Sequence, residues 1–275
     1  IGTSKIIIYF SNLINSQIVT TESAENPQMK HGEDVISRIS YALKSEAHLK
    51  EMQQAVTSCL NTMISEACKK LGLSPQQIYE LTVVGNTAMH HLFLGIQPKH
   101  LGLSPYVPVV SDSINEKARN LRIKVDPAAN VHVFPVIAGF VGGDAVADII
   151  STGIHEANEL SLVLDVGTNT EVILGNKREL TACSCASGPA FEGAHIKFGM
   201  KAVSGAIEKL DIEPNPYSVS YLTIGKVKPL GLCGSAVIDA VASLLKCQLV
   251  DRAGKFTESI QSPRFAKMNG QKAFI

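Results

Sequence analysis

Residues 162–174 read Leu-Val-Leu-Asp-Val-Gly-Thr-Asn-Thr-Glu-Val-Ile-Leu, which predicts an apolar strand, a tight polar turn and a second apolar strand. The first strand places Asp165 at its carboxyl end, and a glycine in the turn lets a ligand approach the backbone closely. Turn amides and short polar side chains together form a nest for phosphate oxygens. A carboxylate beside such a nest can hold Mg²⁺ through its water shell. The predicted phosphate-binding residues of this turn are Gly167, Thr168, Asn169 and Thr170.

The beginning of the chain repeats this pattern. Ile1-Gly2-Thr3-Ser4 leads into a β-branched apolar strand, 165 residues before the matching Gly167-Thr168. We therefore expect a second phosphate-binding turn at Gly2, Thr3 and Ser4. The repeat predicts two duplicated lobes, over residues 1–155 and 156–275. The first copy lacks the strand and the acid that precede the second copy, and the chain stops within an apolar run, so we expect it to be part of a longer protein.

Composition narrows the class of protein. The chain has 25 basic and 25 acidic residues, 45% hydrophobic residues and 18% charged residues. A neutral chain of this kind predicts a globular core and argues against binding to nucleic acid or to a membrane. None of the six cysteines forms a CxxC pair, and most lie in apolar segments, as reduced core cysteines do; this location favours a reducing, cytoplasmic compartment. Cys183 and Cys185 form the one close pair, either as ordinary strand residues near a site or as cluster ligands across a homodimer interface.

Hydrophobic periodicity predicts alternating strands and helices, and therefore an α/β protein with mixed sheets. Residues 97–130 are polar and rich in proline, which predicts a long surface connection. The predicted strands are 5–10, 18–21, 81–84, 131–137, 161–166, 170–175 and 179–183. The predicted helices are 33–43, 46–71, 87–94, 145–151 and 236–247.

Three further segments carry candidate site residues. Glu171 interrupts an apolar strand, and because an unpaired buried carboxylate is costly we expect it to face a solvated cleft. Asp144 follows a glycine pair, and we expect it to be a helix N-cap with neighbouring amides aimed at an anion or a water. Two glycine-rich helix openings could receive a nucleotide. Their candidate residues are Gly188, Glu192 and Gly193 in the first and Gly231, Gly234 and Ser235 in the second.

His90 and His91 are adjacent on a predicted helix. Neighbouring helical side chains point in different directions, so a shared metal is not expected and both are interpreted as structural.

The two hairpins, with residues 140–150 between them, resemble the superfamily of actin, sugar kinases and heat-shock chaperone ATPases. That resemblance implies a two-lobed actin-like fold that closes on ATP and Mg²⁺. It further implies that Asp165 anchors hydrated Mg²⁺, that Asp144 positions the attacking water, and that Glu171 is the next candidate for this acid. A later glycine-pair strand holds adenosine in the superfamily, and no copy is evident before Ile275, so we expect an incomplete adenine pocket here.

Five segments together resemble the ATP-dependent reductive activators of corrinoid proteins. They are Asn26-Pro27-Gln28, residues 32–39, Val84-Gly85-Asn86-Thr87-Ala88-Met89, residues 186–193 and Gly231-Leu232-Cys233-Gly234-Ser235. The resemblance implies an ATPase that drives reduction of a Co(II) corrinoid to Co(I) in a corrinoid protein of a methyl-transfer system. Members of the family carry iron–sulfur clusters in a separate ferredoxin-like part, which these residues do not include; the electron donor is not implied.

Three alternative functions share the same fold. A small-molecule kinase would need an acceptor pocket, and a non-catalytic module would bind nucleotide without turnover. An activator of dehydratases or reductases would carry an iron–sulfur cluster that bridges two subunits.

Overall fold

The computed structural model describes residues 1–193, 196–214, 216–257, 260, 262–268 and 270–275. It divides into two compact units. Unit 1 comprises residues 1–165 and 171–184, and unit 2 comprises residues 166–170 and 185–275. Helices and strands alternate in both, which confirms the α/β class.

The helices follow the capping signals in the sequence. The longest begins after the N-cap Ser45, carries Lys69 and Lys70 in its last turn, and ends at Gly72 in the left-handed conformation. These features match the preferences of helix ends for a hydroxyl cap, for cations near the carboxyl end and for a final glycine. The described α-helices are α1 (Val35–Ala42), α2 (Glu46–Leu71), α3 (Thr87–Leu94), α4 (Gly143–Thr152) and α5 (Gly234–Lys246).

The strands form several small sheets, of which two are mixed. In one mixed sheet, β3 is parallel to β5 and β4 is antiparallel to β5; in the other, β9 pairs antiparallel with β10 and parallel with β11. The remaining described sheets have the orders β1-β2, β6-β7-β8 and β12-β13. The strands are β1 (Lys5–Ser11), β2 (Ile18–Glu25), β3 (Glu80–Val83), β4 (Ile114–Lys117), β5 (Asn130–Val133), β6 (Ser161–Val166), β7 (Asn169–Gly175), β8 (Leu180–Ala186), β9 (Ala206–Glu213), β10 (Ser218–Thr223), β11 (Gly231–Leu232), β12 (Phe265–Met268) and β13 (Gln271–Phe274).

The prediction that residues 97–130 form a polar connection across the surface is wrong in two respects. Five of these residues are buried in the main core of unit 1: Ala118, Leu121, Ile123, Val125 and Ala129. The segment also contains a strand. Ile114–Lys117 forms β4 and pairs with β5 over its whole length. Its sequence, Ile-Asn-Glu-Lys, has one apolar residue, so the strand exists because of its partner and not because of a hydrophobic pattern.

Unit 1 has its main hydrophobic core between α2 and the strands. The spacing of apolar residues in α2 predicts one buried face, and all six residues on it are at most 9% exposed: Leu49, Met52, Val56, Leu60, Met63 and Ala67. Smaller cores surround Ile173 and Ala145 in unit 1 and Leu249 in unit 2. α2 therefore buries the apolar face that its periodicity predicts, whereas Ile36 and Leu43, on the predicted apolar face of the helix at 33–43, are 49% and 37% exposed.

His90 and His91 are structural, as expected, but the expectation that their side chains point apart is wrong. Their Nδ1 atoms lie 3.3 Å apart, and both residues are buried. The Nε2 atom of His91 accepts a hydrogen bond from Val109 N at 3.0 Å, while its Nδ1 atom lies 2.8 Å from Thr87 O. His91 therefore fastens the loop around Val109 to α3 as a neutral imidazole.

Burial, and secondarily the neighbouring His91, lowers the pKa of His90 from 6.5 to about 4. Protonation is thus easier in the unfolded chain, and the free energy of unfolding should fall as pH drops from 6.5 toward about 4. We expect His90→Gln to flatten this dependence, measured by urea unfolding at several pH values. The exposed His100 is the matched control, and His100→Gln should keep the wild-type pH dependence. An unchanged pH dependence in His90→Gln would contradict the assignment.

Candidate functional site

The first predicted phosphate turn lies in unit 1 and is held by two asparagines. Asn26 is 1% exposed, and its Nδ2 atom donates to Gly2 O at 2.8 Å while its backbone N–H donates to Ser4 O at 3.0 Å. Asn86 Nδ2 donates to Thr3 Oγ1 at 2.9 Å. Asn26 therefore holds the carbonyl groups on both sides of Thr3, and Asn86 holds the Thr3 hydroxyl.

The turn that carries Asn86 packs directly on the start of α4. Gly143 N and Asp144 N both donate to Gly85 O, at 3.0 and 3.3 Å. A Cβ atom on Gly142 would lie only 2.5 Å from Asn86 Cα, so a side chain does not fit at this position. Two glycine-rich turns, 57 residues apart in the sequence, thus meet backbone to backbone.

The expectation that Asp144 is an N-cap with free neighbouring amides is wrong. The N-cap of α4 is Gly142, and Asp144 lies in the first turn of the helix. Its own amide and that of Gly143 are occupied by Gly85 O, and its Oδ1 atom accepts from Ala145 N at 3.0 Å. The amides at this helix start hold a neighbouring turn instead of facing an anion.

Four acidic side chains of unit 1 form an interacting group. Burial raises the pKa of Asp144, and the charge of Asp165 raises it further. Burial and then the charges of Asp165 and Asp144 raise the pKa of Asp148 to about 6. The buried Oδ2 atom of Asp148 has no hydrogen-bond partner within the described part of the chain. This group concentrates acidic side chains beside α4.

Glu171 is the fourth member, and the expectation that it faces a solvated cleft is wrong. It is 7% exposed, and Ser184 Oγ donates to its Oε1 atom at 2.9 Å. It lies on the same face of β7 as Ile173, which packs in a core with Ala145 of α4. Burial raises the pKa of Glu171, and Asp144 and Asp165 add to this effect.

The second predicted phosphate turn lies in unit 2. Gly167 N donates to Asn169 O at 3.0 Å, and Thr168 O accepts from both Ser187 N and Gly188 N at 3.1 and 2.9 Å. The Oγ1 atom of Thr170 lies 2.6 Å from Ser187 Oγ. The structure thus brings this turn to Gly188, one of the predicted nucleotide-binding glycines. Gly167 is not among the glycines with positive φ. The turn therefore does not need glycine for a left-handed backbone, and the advantage of glycine here is its small size.

The two glycine-rich helix openings of unit 2 also lie together. The backbone of Phe191, two residues before Gly193 in the chain, blocks the position that a Cβ atom on Gly234 would take. Cys233 is the N-cap residue of α5, and its side chain makes no capping hydrogen bond. The helix begins at Gly234 and therefore within the predicted glycine-rich segment. The hydroxyl of Ser235 donates to Glu208 O at 2.6 Å and is thereby committed to the protein. The side chain of Glu192 lies outside the described part of the structure.

The geometry fits a hydrated Mg²⁺ better than a directly coordinated metal. No group of three or more His, Cys, Asp or Glu residues in the described ranges is arranged to hold a metal ion. A cation held through its water shell would supply hydrogen bonds to the unpartnered Oδ2 atom of Asp148. It would also weaken the charge repulsion that contributes to the raised pKa values in the acidic group. Cys183 and Cys185 are both exposed on β8. Across the described helices, none has the length and apolar character needed to cross a bilayer.

Sequence reasoning did not assign site roles to Asn26, Asn86 or Asp148. For two of them a local signal exists. Asn86 follows a strand and begins a helix, which is the pattern of an N-cap, and Asp148 lies four residues after Asp144 on the same helix face. The contact of Asn26 with Gly2 joins distant segments and has no local signal.

Comparison with known proteins identifies the family to which both parts of the chain belong. Residues 1–157 match the family described as the RACo middle region, and residues 159–275 match the C-terminal domain of RACo, the ASKHA domain. The chain is 36% identical over 256 residues to the corrinoid activation enzyme RamQ of Eubacterium limosum, covering 93% of this chain and 42% of that protein. It is 32% identical over 143 residues to a [Co(II) methylated amine-specific corrinoid protein] reductase of Methanosarcina barkeri, covering 44% of this chain and 26% of that protein.

A solved structure named reductive activator for corrinoid, iron–sulfur protein matches with a TM-score of 0.86 and 36% identity, over 100% of this chain and 44% of that one. The chain spans less than half the length of these relatives. The relatives are named as activation or reductase enzymes, and the resemblance to reductive activators is confirmed. The chain belongs to the RACo family, whose middle region and C-terminal ASKHA domain its residues match.

Proposed function

We propose that this chain is the ATPase part of a reductive activator, which drives ATP-dependent reduction of a Co(II) corrinoid to Co(I) in a corrinoid protein. The observation that carries the proposal is the acidic group beside α4, because Asp144 and Asp165 lie close enough for Asp165 to raise the pKa of Asp144. An ATPase needs acids of this kind, one to organise the metal's water shell and one to orient the attacking water.

Each residue then has a separate role. The turns at Gly2–Ser4 and Gly167–Thr170 hold phosphate oxygens, and Asp165 holds the water shell of Mg²⁺. Bound Mg²⁺ would neutralise phosphate charge as it develops during hydrolysis. Asp144 orients water, and because burial and then the charge of Asp165 raise its pKa, its carboxylate is a stronger base than an ordinary aspartate. Glu171 is buried and bonded to Ser184, which suits an electrostatic role more than contact with water.

The remaining assignments belong to the same proposal. Four finer assignments stay predictions. They are the lobe boundary between residues 155 and 156, a homodimer, a cytoplasmic location, and nucleotide contacts by Gly188, Gly193, Gly231 and Gly234. The iron–sulfur cluster that passes the electron is assigned to a ferredoxin-like part outside these residues.

The activity can be tested with the full-length gene product and a corrinoid protein held in the Co(II) state. With a low-potential one-electron reductant, each Co(II) gains one electron and becomes Co(I), while the reductant loses one. We expect the Co(II) electron paramagnetic resonance signal to disappear in the presence of ATP and Mg²⁺, and to persist without ATP. Phosphoryl transfer from ATP to a sugar or to acetate would instead indicate a kinase, and would contradict the proposal.

The two central aspartates should separate binding from turnover. Asp144→Asn should keep ATP affinity within a few-fold and lower the hydrolysis rate by about 10²–10⁴-fold, because loss of a water-orienting acid acts on the transition state. Asp165→Asn should weaken the binding of Mg²⁺ and ATP itself. Calorimetric Kd and steady-state kcat, measured side by side, distinguish the two. Hydrolysis at the wild-type rate in Asp144→Asn would remove the catalytic role from this residue.

Substitution of Asp148 should show how much the buried charge of the acidic group lowers the stability of the folded state. Its pKa of about 6 in the folded protein exceeds the ordinary value of 3.8, so the folded state binds more protons between these pH values. Stability should therefore fall as pH rises through this window. We expect Asp148→Asn to raise the urea midpoint at pH 7.5 and to change it little at pH 4. Asp112→Asn, at an exposed position, is the control; equal effects of the two substitutions at pH 7.5 would contradict the assignment.

A further inference from the structure

Asn86 makes two hydrogen bonds of different kinds with one side-chain amide. Its Oδ1 atom accepts from Met89 N at 3.0 Å and so caps α3. Its Nδ2 atom donates to Thr3 Oγ1 at 2.9 Å. Because the cap requires an acceptor on one side of the amide, the donor must lie on the other side, toward Thr3. The orientation of the amide is therefore set by the helix and not by the hydroxyl that it meets.

The direction of this hydrogen bond decides what the Thr3 hydroxyl can do. A hydroxyl has one proton to donate and two lone pairs to accept with. Since Oγ1 accepts from Asn86, its own proton is directed elsewhere and can be given to an acceptor-only ligand. A phosphate oxygen is such an acceptor, and the backbone on both sides of Thr3 is held in place through Asn26.

We infer that Asn86 is a positioning residue that sets the Thr3 hydroxyl as a hydrogen-bond donor toward a nucleotide phosphate. This inference rests on the proposed function, in which the Gly2–Ser4 turn binds phosphate. It also explains the residue type at this position. Asp and Ser cap helices as well as Asn does, but a carboxylate only accepts, and a serine has a single short hydroxyl; only the Asn amide offers an acceptor for the cap and an N–H donor for Thr3 on two separate atoms.

The contact with α4 gives the arrangement its rigidity. Gly142 lies against Asn86 Cα with no room for a side chain, and Gly85 O is held by two amides of α4. The backbone of Asn86 is therefore held by its packing against α4, and its side chain is held by the capping hydrogen bond to α3. Its amide has little freedom to turn away from Thr3.

The test uses substitutions that keep the helix cap. Asn86→Ser retains a capping oxygen but is too short to reach Thr3, and Thr3→Val removes the hydroxyl at nearly constant shape. In the full-length gene product, titrated calorimetrically with ATP in the presence of Mg²⁺, we expect Asn86→Ser to weaken binding about 5-fold, the size of one neutral hydrogen bond. Its urea midpoint should fall by no more than the loss of this one hydrogen bond explains, because the helix cap is kept. In a Thr3→Val background, Asn86→Ser should cause no further loss, since the two residues act through one hydrogen bond.

A charged variant adds a second arm. Asn86→Asp also keeps the cap, but its carboxylate accepts the Thr3 proton and places a negative charge near the phosphate, so binding should weaken more than in Asn86→Ser. If Thr3→Val weakens binding and Asn86→Ser does not, the inference is wrong while the phosphate role of the turn stands. The inference is also overturned if Asn86→Ser weakens binding equally in the Thr3→Val background. If Thr3→Val itself leaves affinity unchanged, the phosphate role of this turn fails together with the inference.

Discussion

The backbone contact between the Gly85–Asn86 turn and the start of α4 is the constraint on which the candidate site of unit 1 depends. Gly85 O accepts two amide hydrogen bonds from α4, and the backbone at Gly142 packs so closely on Asn86 that no side chain fits between the two segments. Through this contact the helix that carries Asp144 and Asp148 is fixed relative to the turn that reaches Thr3. A side chain at Gly142 would separate the acidic group from the predicted phosphate turn, even though Gly142 has no chemical role of its own.

The acidic group is an example of charge kept in place at the expense of stability. Asp144, Asp148 and Glu171 all have raised pKa values, mainly through burial and further through neighbouring acids. Such an arrangement is unfavourable in the protein alone, and perturbed acids of this type gather at functional sites. A bound cation would relieve the repulsion, so ligand binding and folding stability are coupled in this unit.

The sequence predicts what depends on neighbouring residues in the chain. The caps and buried face of α2 and the two glycine-threonine turns follow from local patterns, and the structure contains α2 with the ends and the buried residues that were expected. Features that depend on distant partners were not predictable in this way. Asp144 was expected to cap its helix, but Gly85 O takes the amides on which that expectation rested. Glu171 was expected near solvent, but it is 7% exposed, on the face of β7 whose Ile173 packs in a core with Ala145 of α4. β4 has almost no pattern of its own and exists through pairing with β5.

The shared acceptor Gly85 O also has a mechanical consequence. A displacement of α4 along its axis would stretch two hydrogen bonds to one atom at once, and the tight packing at Gly142 resists approach from the other side. The helix and the turn therefore move as one body, and a pull on Thr3 is transmitted through Asn86 to Asp144 and Asp148. A small shift at a bound phosphate would reach the far end of this ten-residue helix without being absorbed by loops on the way.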